Sequence, residues 1–270
     1  MFVGRNAITT IKNRIFADFL MPSRLRKFEQ LLKFALENKY QTYSIIQFWR
    51  ITEGGNKLPP GNILLLRHDV DTDSTTAEKM WNIENTLGVK STYFFRLSTL
   101  DIQLMKRIEE SGSEATYHYE ELSTICKRDR IRSSQEIQNS LPKMRELFAR
   151  NIKQLRERTG LPMRSVASHG DFINRKMGIR NVIIMQDMSF RKEVDIDVEA
   201  YDESAMKLVE SRFSDKPYPI FWAPFDPMLA IKNNVKVVYI LVHPRHWRTA
   251  VIENFADDVQ RFYEQIKYSI

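Results

Sequence analysis

The chain has 270 residues, 43% of them hydrophobic and 28% charged, and a formal net charge of +7. That length holds one large domain or two small ones, and the apolar share is enough for a sizeable core. A single cysteine, Cys126, excludes an internal disulfide and leaves a reducing compartment as the default, and no apolar run reaches the ~18–20 residues that span a bilayer.

The N-terminal stretch is broken by charges at Arg5, Lys12, Arg14 and Asp18, so it does not read as a signal peptide, and the expected location is cytoplasmic. Residues 1–50 read as helices. Ser23 is placed to cap one running to about Glu37, with Phe28, Leu31, Leu32, Phe34 and Ala35 at helical spacing. Gln41–Ile51 reads as a short helix or as a strand followed by a helix. Gly54-Gly55-Asn56 and Pro59-Pro60-Gly61 mark a loop.

The stretch Asn62–Asp73, NILLLRHDVDTD, is the most informative in the chain. Its unbroken apolar run reads as a strand buried on both faces. Side chains two apart share a face, so Asp69 and Asp71 converge at its carboxyl end. Two carboxylates that close repel unless a cation sits between them or one holds a proton. Asp73 reads instead as the N-cap of a helix over Thr75–Leu87, closed by Gly88.

Beyond it, Val89–Phe95 reads as a strand, Ser98–Ser111 as a helix, and Glu114–Tyr119 as a strand ending near His118. A long helix is expected over Ser133–Thr159, with Ser133 and Glu136 as a capping box and Pro142 kinking or dividing it. Arg164–His169 and Asn181–Gln186 read as the fourth and fifth strands. Residues 187–234 yield only a candidate strand at Ile220–Trp222. Val235–Val242 reads as a buried strand and Glu253–Tyr268 as a closing amphipathic helix. Strands alternating with helices predict an α/β fold with a parallel sheet curled into a barrel. Residues 1–60 form a helical segment packed on a barrel of residues 61–270, one domain overall.

Between Lys127 and Arg164 there are 11 Lys and Arg against 4 Asp and Glu, a local surplus equal to that of the whole chain. The block reads as the solvated face of the long helix. Its few aromatic residues argue against a nucleic-acid partner.

Only five histidines occur, and His68, His118, His169 and His243 each fall at the carboxyl end of a predicted strand, with His246 just beyond one. Catalytic groups of βα barrels collect at that end. With two aspartates, these histidines supply the ligands of a zinc-type site with an open position for water. His68 faces away from Asp69 and reads as packed behind the sheet. His246 reads as exposed and structural.

The segments Arg67-His68-Asp69-Val70-Asp71, Gly88-Val89-Lys90-Ser91-Thr92-Tyr93-Phe94-Phe95, Tyr117-His118-Tyr119-Glu120, Ser168-His169-Gly170 and Leu241-Val242-His243-Pro244 together resemble the polysaccharide deacetylase family. This is the NodB-homology group, or carbohydrate esterase family 4, and the likeness is to an atypical intracellular branch often met in surface-polysaccharide gene sets. It spans about residues 60–250. The resemblance implies a distorted (β/α) barrel of fewer than eight units and metal-assisted removal of an acyl group from an amino sugar. It implies Asp69 as catalytic base, Asp71 and His118 as metal ligands, and His243 as catalytic acid. The family's second metal histidine falls at Leu122, so His169 is the candidate replacement, with Glu120 as the alternative. The family's arginine that orients the base has no motif equivalent here, and Arg67 or Arg164 could substitute.

The expected cofactor is a divalent metal, zinc first, with cobalt, nickel or iron able to use the same ligands. A backbone N–H near Tyr93–Phe95 is the expected oxyanion donor, and Trp247 and Trp222 could stack on a sugar or pack in the core. The expected substrate is a carbohydrate. A nucleotide sugar, its diphosphate held by the basic block, is the rival substrate for hydrolysis of another C–N bond. A barrel that only binds is the non-enzymatic alternative.

Overall fold

The computed structural model describes residues 9–10 and 12–269; residues 1–8, with Arg5, lie outside it. Along the chain come α1 (Leu25–Glu37), β1 (Tyr40–Tyr43), α2 (Ile45–Ile51), β2 (Asn62–Val70), α3 (Ser74–Leu87), β3 (Thr92–Phe95), α4 (Ile102–Glu110) and β4 (Glu114–Tyr119). Next are α5 (Glu121–Asp129), α6 (Ser134–Thr159), β5 (Ser165–Ser168), α7 (Phe172–Met177), α8 (Met188–Glu193), β6 (Val198–Glu199) and α9 (Glu203–Met206). Then follow β7 (Ser211–Asp215), β8 (Trp222–Ala223), α10 (Pro227–Lys232), β9 (Val237–Val242) and α11 (Val251–Ser269).

The strands form one mostly parallel sheet in the order β6-β5-β4-β3-β2-β9-β7-β8, with only β8 antiparallel to its neighbour. Among the described residues neither β6 nor β8 has a strand beyond it, so the curled sheet stays an open half-barrel. β2 is its axis. One edge of β2 pairs with β9 over Ile63–His68; the other takes β1 first, over Asn62–Leu65, and then β3, over Arg67–Val70. The apolar run is therefore flanked along its length and buried on both faces, as its lack of alternation predicted.

Leu64 and Leu66 point outward into a cluster with Phe28, Leu31 and Leu32 of α1. Fully burying such a leucine is worth about 1.5–3 kcal/mol. Ile63 and Leu65 point inward and meet Ile45 and Phe48 of α2, which plugs the amino end of the half-barrel. The next inward positions, Arg67 and Asp69, are thereby lifted toward the open carboxyl end.

Several ends follow local chemistry. The Asp73 side chain accepts from Thr76 N–H at 2.8 Å and caps α3, and Gly88 closes it at φ +71°. Ser133 and Glu136 make the capping box of α6. That helix runs undivided through Pro142, because the residue faces solvent, where water can meet the carbonyl its ring frees. The expected helix over Ser98–Ser111 starts later, at an Asp101 cap, after a 3₁₀ turn at Leu97–Thr99.

Asn181–Gln186 is not a strand but a 3₁₀ helix. Four apolar residues cannot distinguish a strand from a short buried helix. Asn181 is tied through its side-chain amide to His169 O and Asn174 Oδ1, which curls the segment under β5. β6 takes the place beside β5 instead. Gln41–Ile51 resolves as strand plus helix, and β1 joins the sheet.

Candidate active site

Asp69 and Asp71 stand at the open end of β2 in opposite settings. Arg67, fully buried two residues earlier on the same face, grips Asp69 with two hydrogen bonds, Nε to Oδ1 at 2.6 Å and Nη2 to Oδ2 at 2.8 Å. Tyr239 and Tyr201 hydroxyls brace the guanidinium, each at 3.2 Å. Burial alone would raise the Asp69 carboxyl, but Arg67 and then His118 and His243 hold it below the usual range. Of the two candidate arginines, Arg67 is the one that grips Asp69, whereas Arg164 is spent on Asp195 and Asp197, away from the site.

Asp71 has no such partner. Its Oδ1 is buried without a hydrogen bond, 3.3 Å from Nε2 of His118 and 3.6 Å from Nε2 of His169. Burial favours its neutral form, yet the imidazoles of His169, His118 and His243 keep it well below the usual carboxylate range. Each imidazole is fixed from behind. His118 Nδ1 lies 2.9 Å from Ala167 O, and His169 Nδ1 lies 3.1 Å from Glu120 Oε2. The Arg96 guanidinium holds Glu120 at 2.9 Å and donates to Asp71 O at 3.0 Å, coupling these parts. Glu120 therefore stands behind His169 as its support.

Leu122, at the position where the resemblance leads one to look for a histidine, is fully buried in the apolar cluster of β3, β4, α5 and α6. Its side chain packs outside the half-barrel, so no ligand could reach the open end from there.

Opposite Asp69, His243 follows β9. Asp215, at the end of β7, accepts from its backbone N–H at 2.8 Å and lies 2.7 Å from its Nδ1. His246 Nδ1 lies 3.1 Å from the same carboxylate, and Trp247 Nε1 donates to it at 2.9 Å. Burial would lower the His243 pKa; Asp215 overrides it and, with Asp71 and Asp69, pushes it up to about 9. Asp215 was missed from sequence because β7 was not recognised. Its position at a strand's carboxyl end was the signal that could have found it.

Trp247 is buried and edge-packed on Phe28 and the half-buried Trp222, so it offers no open face to a sugar and instead donates to Asp215. Tyr93–Phe95 lie within the ladder between β2 and β4, where backbone N–H groups serve sheet pairing rather than an oxyanion. His68 is packed behind the sheet, stacked on Tyr93 at 3.9 Å with Nε2 2.6 Å from Glu84 Oε1.

Asp69, Asp71, His243 and His246 line one cavity of about 540 Å³, with Tyr218 and Ile220 on its rim. A second, of about 820 Å³, reaches Asp71 from the other side and is walled by Arg96, Glu120, Lys127 and α11. The basic block offers no diphosphate clamp there: Lys127 is paired with Asp171 and Glu264, and Arg128 with Asp129.

Among the described residues one three-residue His/Asp group has the spacing of a cation site: Asp215, His243 and His246 have ligand atoms all within 4.8 Å of one another. Asp71, His118 and His169 are joined only through Asp71 Oδ1 and do not close to that spacing. Among the described residues no helix is long and apolar enough to cross a membrane.

The fold and site together define an α/β half-barrel with its polar groups gathered at the carboxyl ends of the strands. No family model and no curated protein matches the chain. Among solved structures it is similar to the Xyl-CE4 domain of a multidomain xylanase from the hindgut metagenome of Trinervitermes trinervoides. The identity is 13% and the TM-score 0.35, over 75% of this chain and 85% of that one. A likeness this distant carries no inference about activity.

Proposed function

We propose that the chain is a metal-dependent hydrolase that removes an acyl group, N-acetyl first, from an amino sugar. The observation that carries this reading is Asp71 Oδ1: a buried, ionised oxygen without a donor, facing two imidazole nitrogens whose rings are fixed from behind. Ligand atoms around a tetrahedral ion, at bonds of about 2.0–2.2 Å, stand roughly 3.4 Å apart, and the separations of Asp71 Oδ1 from the two imidazoles bracket that value, while the imidazoles themselves stand further apart. Imidazoles that keep Nε2 free while Nδ1 is held by a carbonyl or carboxylate are the usual form of metal-binding histidine. Asp71, His118 and His169 would hold the ion, with zinc as the first choice.

A divalent ion there would supply a Lewis acid and bring a water's pKa toward neutrality. Asp69, kept ionised and aimed by Arg67, takes a proton from the attacking water. His243, kept protonated by Asp215 through neutral pH, gives a proton to the departing amine. Both line the same cavity as Asp71, so base, acid and ligand face one substrate. Tyr218, which lines that cavity, joins Trp222 as a half-buried ring against which a sugar could stack.

The Asp215–His243–His246 group fits a cation less well. Its carboxylate already takes two N–H donors on Oδ2 and faces two Nδ1 atoms on Oδ1, one at 2.7 Å, a hydrogen-bond distance.

The test is release of acetate from N-acetylated amino-sugar oligosaccharides, assayed with the purified chain, after chelation, and after zinc is restored. Activity lost on chelation and regained with zinc supports the reading. Equal turnover with and without chelator on these substrates contradicts it.

A further inference from the structure

Helix α11 shows its polar side to the protein and its apolar side to water. Inward, Asp257 pairs with Arg245 at 3.0 Å, Glu264 with Lys127 at 2.6 Å and Asp258 with Arg14 at 2.6 Å, while the buried Asn254 donates to Asp18 O. Outward, Ile252 is 81% exposed, Phe255 60%, Val259 50%, Phe262 65%, Tyr263 59% and Ile266 44%. With the exposed Ala256 they form one continuous stripe at helical spacing. A monomer rarely leaves such a stripe open to water.

We propose that α11 pairs antiparallel with α11 of a second copy of this chain, about a two-fold axis at Val259. The spacing selects that occupant. Apart from Val251, 47% exposed at the amino end, the exposed apolar set 252, 255, 256, 259, 262, 263, 266 is unchanged when reversed about residue 259. Antiparallel pairing on that axis sets Ile252 against Ile266, Phe255 against Tyr263, Ala256 against Phe262, and Val259 against itself. A two-fold interface requires this self-complementarity. The 3–4 spacing of Ile252, Phe255, Val259, Phe262 and Ile266 is that of a helix-pairing seam.

Charge agrees. Glu253 and Lys267 are the only charged residues among those of α11 that are exposed, and they sit at opposite ends. The antiparallel arrangement brings Glu253 of one copy near Lys267 of the other. A membrane surface fits less well, since an interfacial helix carries a rim of Lys and Arg, whereas here the two exposed charges cancel. Ala256 and Tyr263 belong both to the stripe and to the wall of the larger cavity, so the second copy borders that cavity's mouth.

The experiment is light scattering on the full chain at micromolar concentration, with Val259→Glu, Val259→Lys and their equimolar mixture. The wild type is expected at twice the 31.9 kDa chain mass. Each variant alone sets like charges on the axis and is expected at the single-chain mass, with its circular dichroism and thermal midpoint unchanged. The mixture sets Glu against Lys and is expected to recover the doubled mass. A wild type at the single-chain mass overturns the proposal, as it would if another occupant covered the stripe. Val259→Glu remaining a dimer, or a mixture that stays at the single-chain mass, also overturns it. None of these outcomes depends on catalysis.

Discussion

Two groups at the mouth of the half-barrel use the same residue types and are wired in opposite ways. Around Asp215 the imidazoles of His243 and His246 turn Nδ1 toward the carboxylate, and every oxygen of that carboxylate faces an N–H or an imidazole nitrogen. Around Asp71 the imidazoles of His118 and His169 turn Nδ1 away, to a carbonyl and to Glu120, and present Nε2 to an oxygen that no donor satisfies. On the proposed reading the first arrangement keeps a proton and the second takes the cation. The two clusters also bracket Asp69, whose two oxygens Arg67 grips and which lies 3.5 Å from His118 Nε2.

The sharpest way to separate the roles within this pair is at Asp69. Asp69→Asn is expected to lower the turnover rate by about 10²–10⁴-fold, the usual worth of a general base, while leaving metal content unchanged. If Asp69→Asn instead empties the protein of metal, the division between base and ligand is wrong.

A smaller effect probes the support behind His169. Glu120→Gln keeps the shape but weakens the hold on Nδ1, and metal affinity is expected to fall about 10–100-fold by titration. Unchanged affinity would mean that His169 is not a ligand.

The smallest effect lies on the proton side. With His243 raised to about 9, the pH–rate profile is expected to fall as pH climbs through about 9, where the acid loses its proton. Asp215→Asn removes the main raising charge, so that alkaline limb moves down toward an ordinary histidine value of about 6.5. The sign for stability follows. The folded-state pKa lies above the unfolded one, so the pair's contribution is complete below about 6.5 and lost as pH rises through about 9. A limb that stays in place in Asp215→Asn would remove His243 from the role of acid.

How much of this was legible in the sequence depended on burial. β2, β4 and β9 announce themselves because flanking on both sides demands long apolar or β-branched runs, and their carboxyl ends then located Asp69, Asp71, His118 and His243. β6, β7 and β8 have two to five residues and lie toward the open edges, where no sustained pattern is needed. With β7 went Asp215, the residue that sets the charge of His243. Arg67 was visible, but its partner was not, since both Arg67 and Arg164 are plausible grips for a carboxylate and only the inward tier of β2 decides between them. Asn181–Gln186 misled because its apolar residues serve a buried 3₁₀ turn held by Asn181. Trp247 misled in the other direction: a large ring near His243 suggested a sugar platform, and its place in the core shows that it braces Asp215 instead.

On the proposed reading Asp71, not Asp215, anchors the cation. Zinc content after equilibration and desalting, compared among the wild type, Asp71→Asn and His246→Ala, distinguishes the two. One ion per chain in the wild type and in His246→Ala, and none in Asp71→Asn, is the predicted result. Zinc retained in Asp71→Asn but lost in His246→Ala would place the ion on the other cluster and contradict the account.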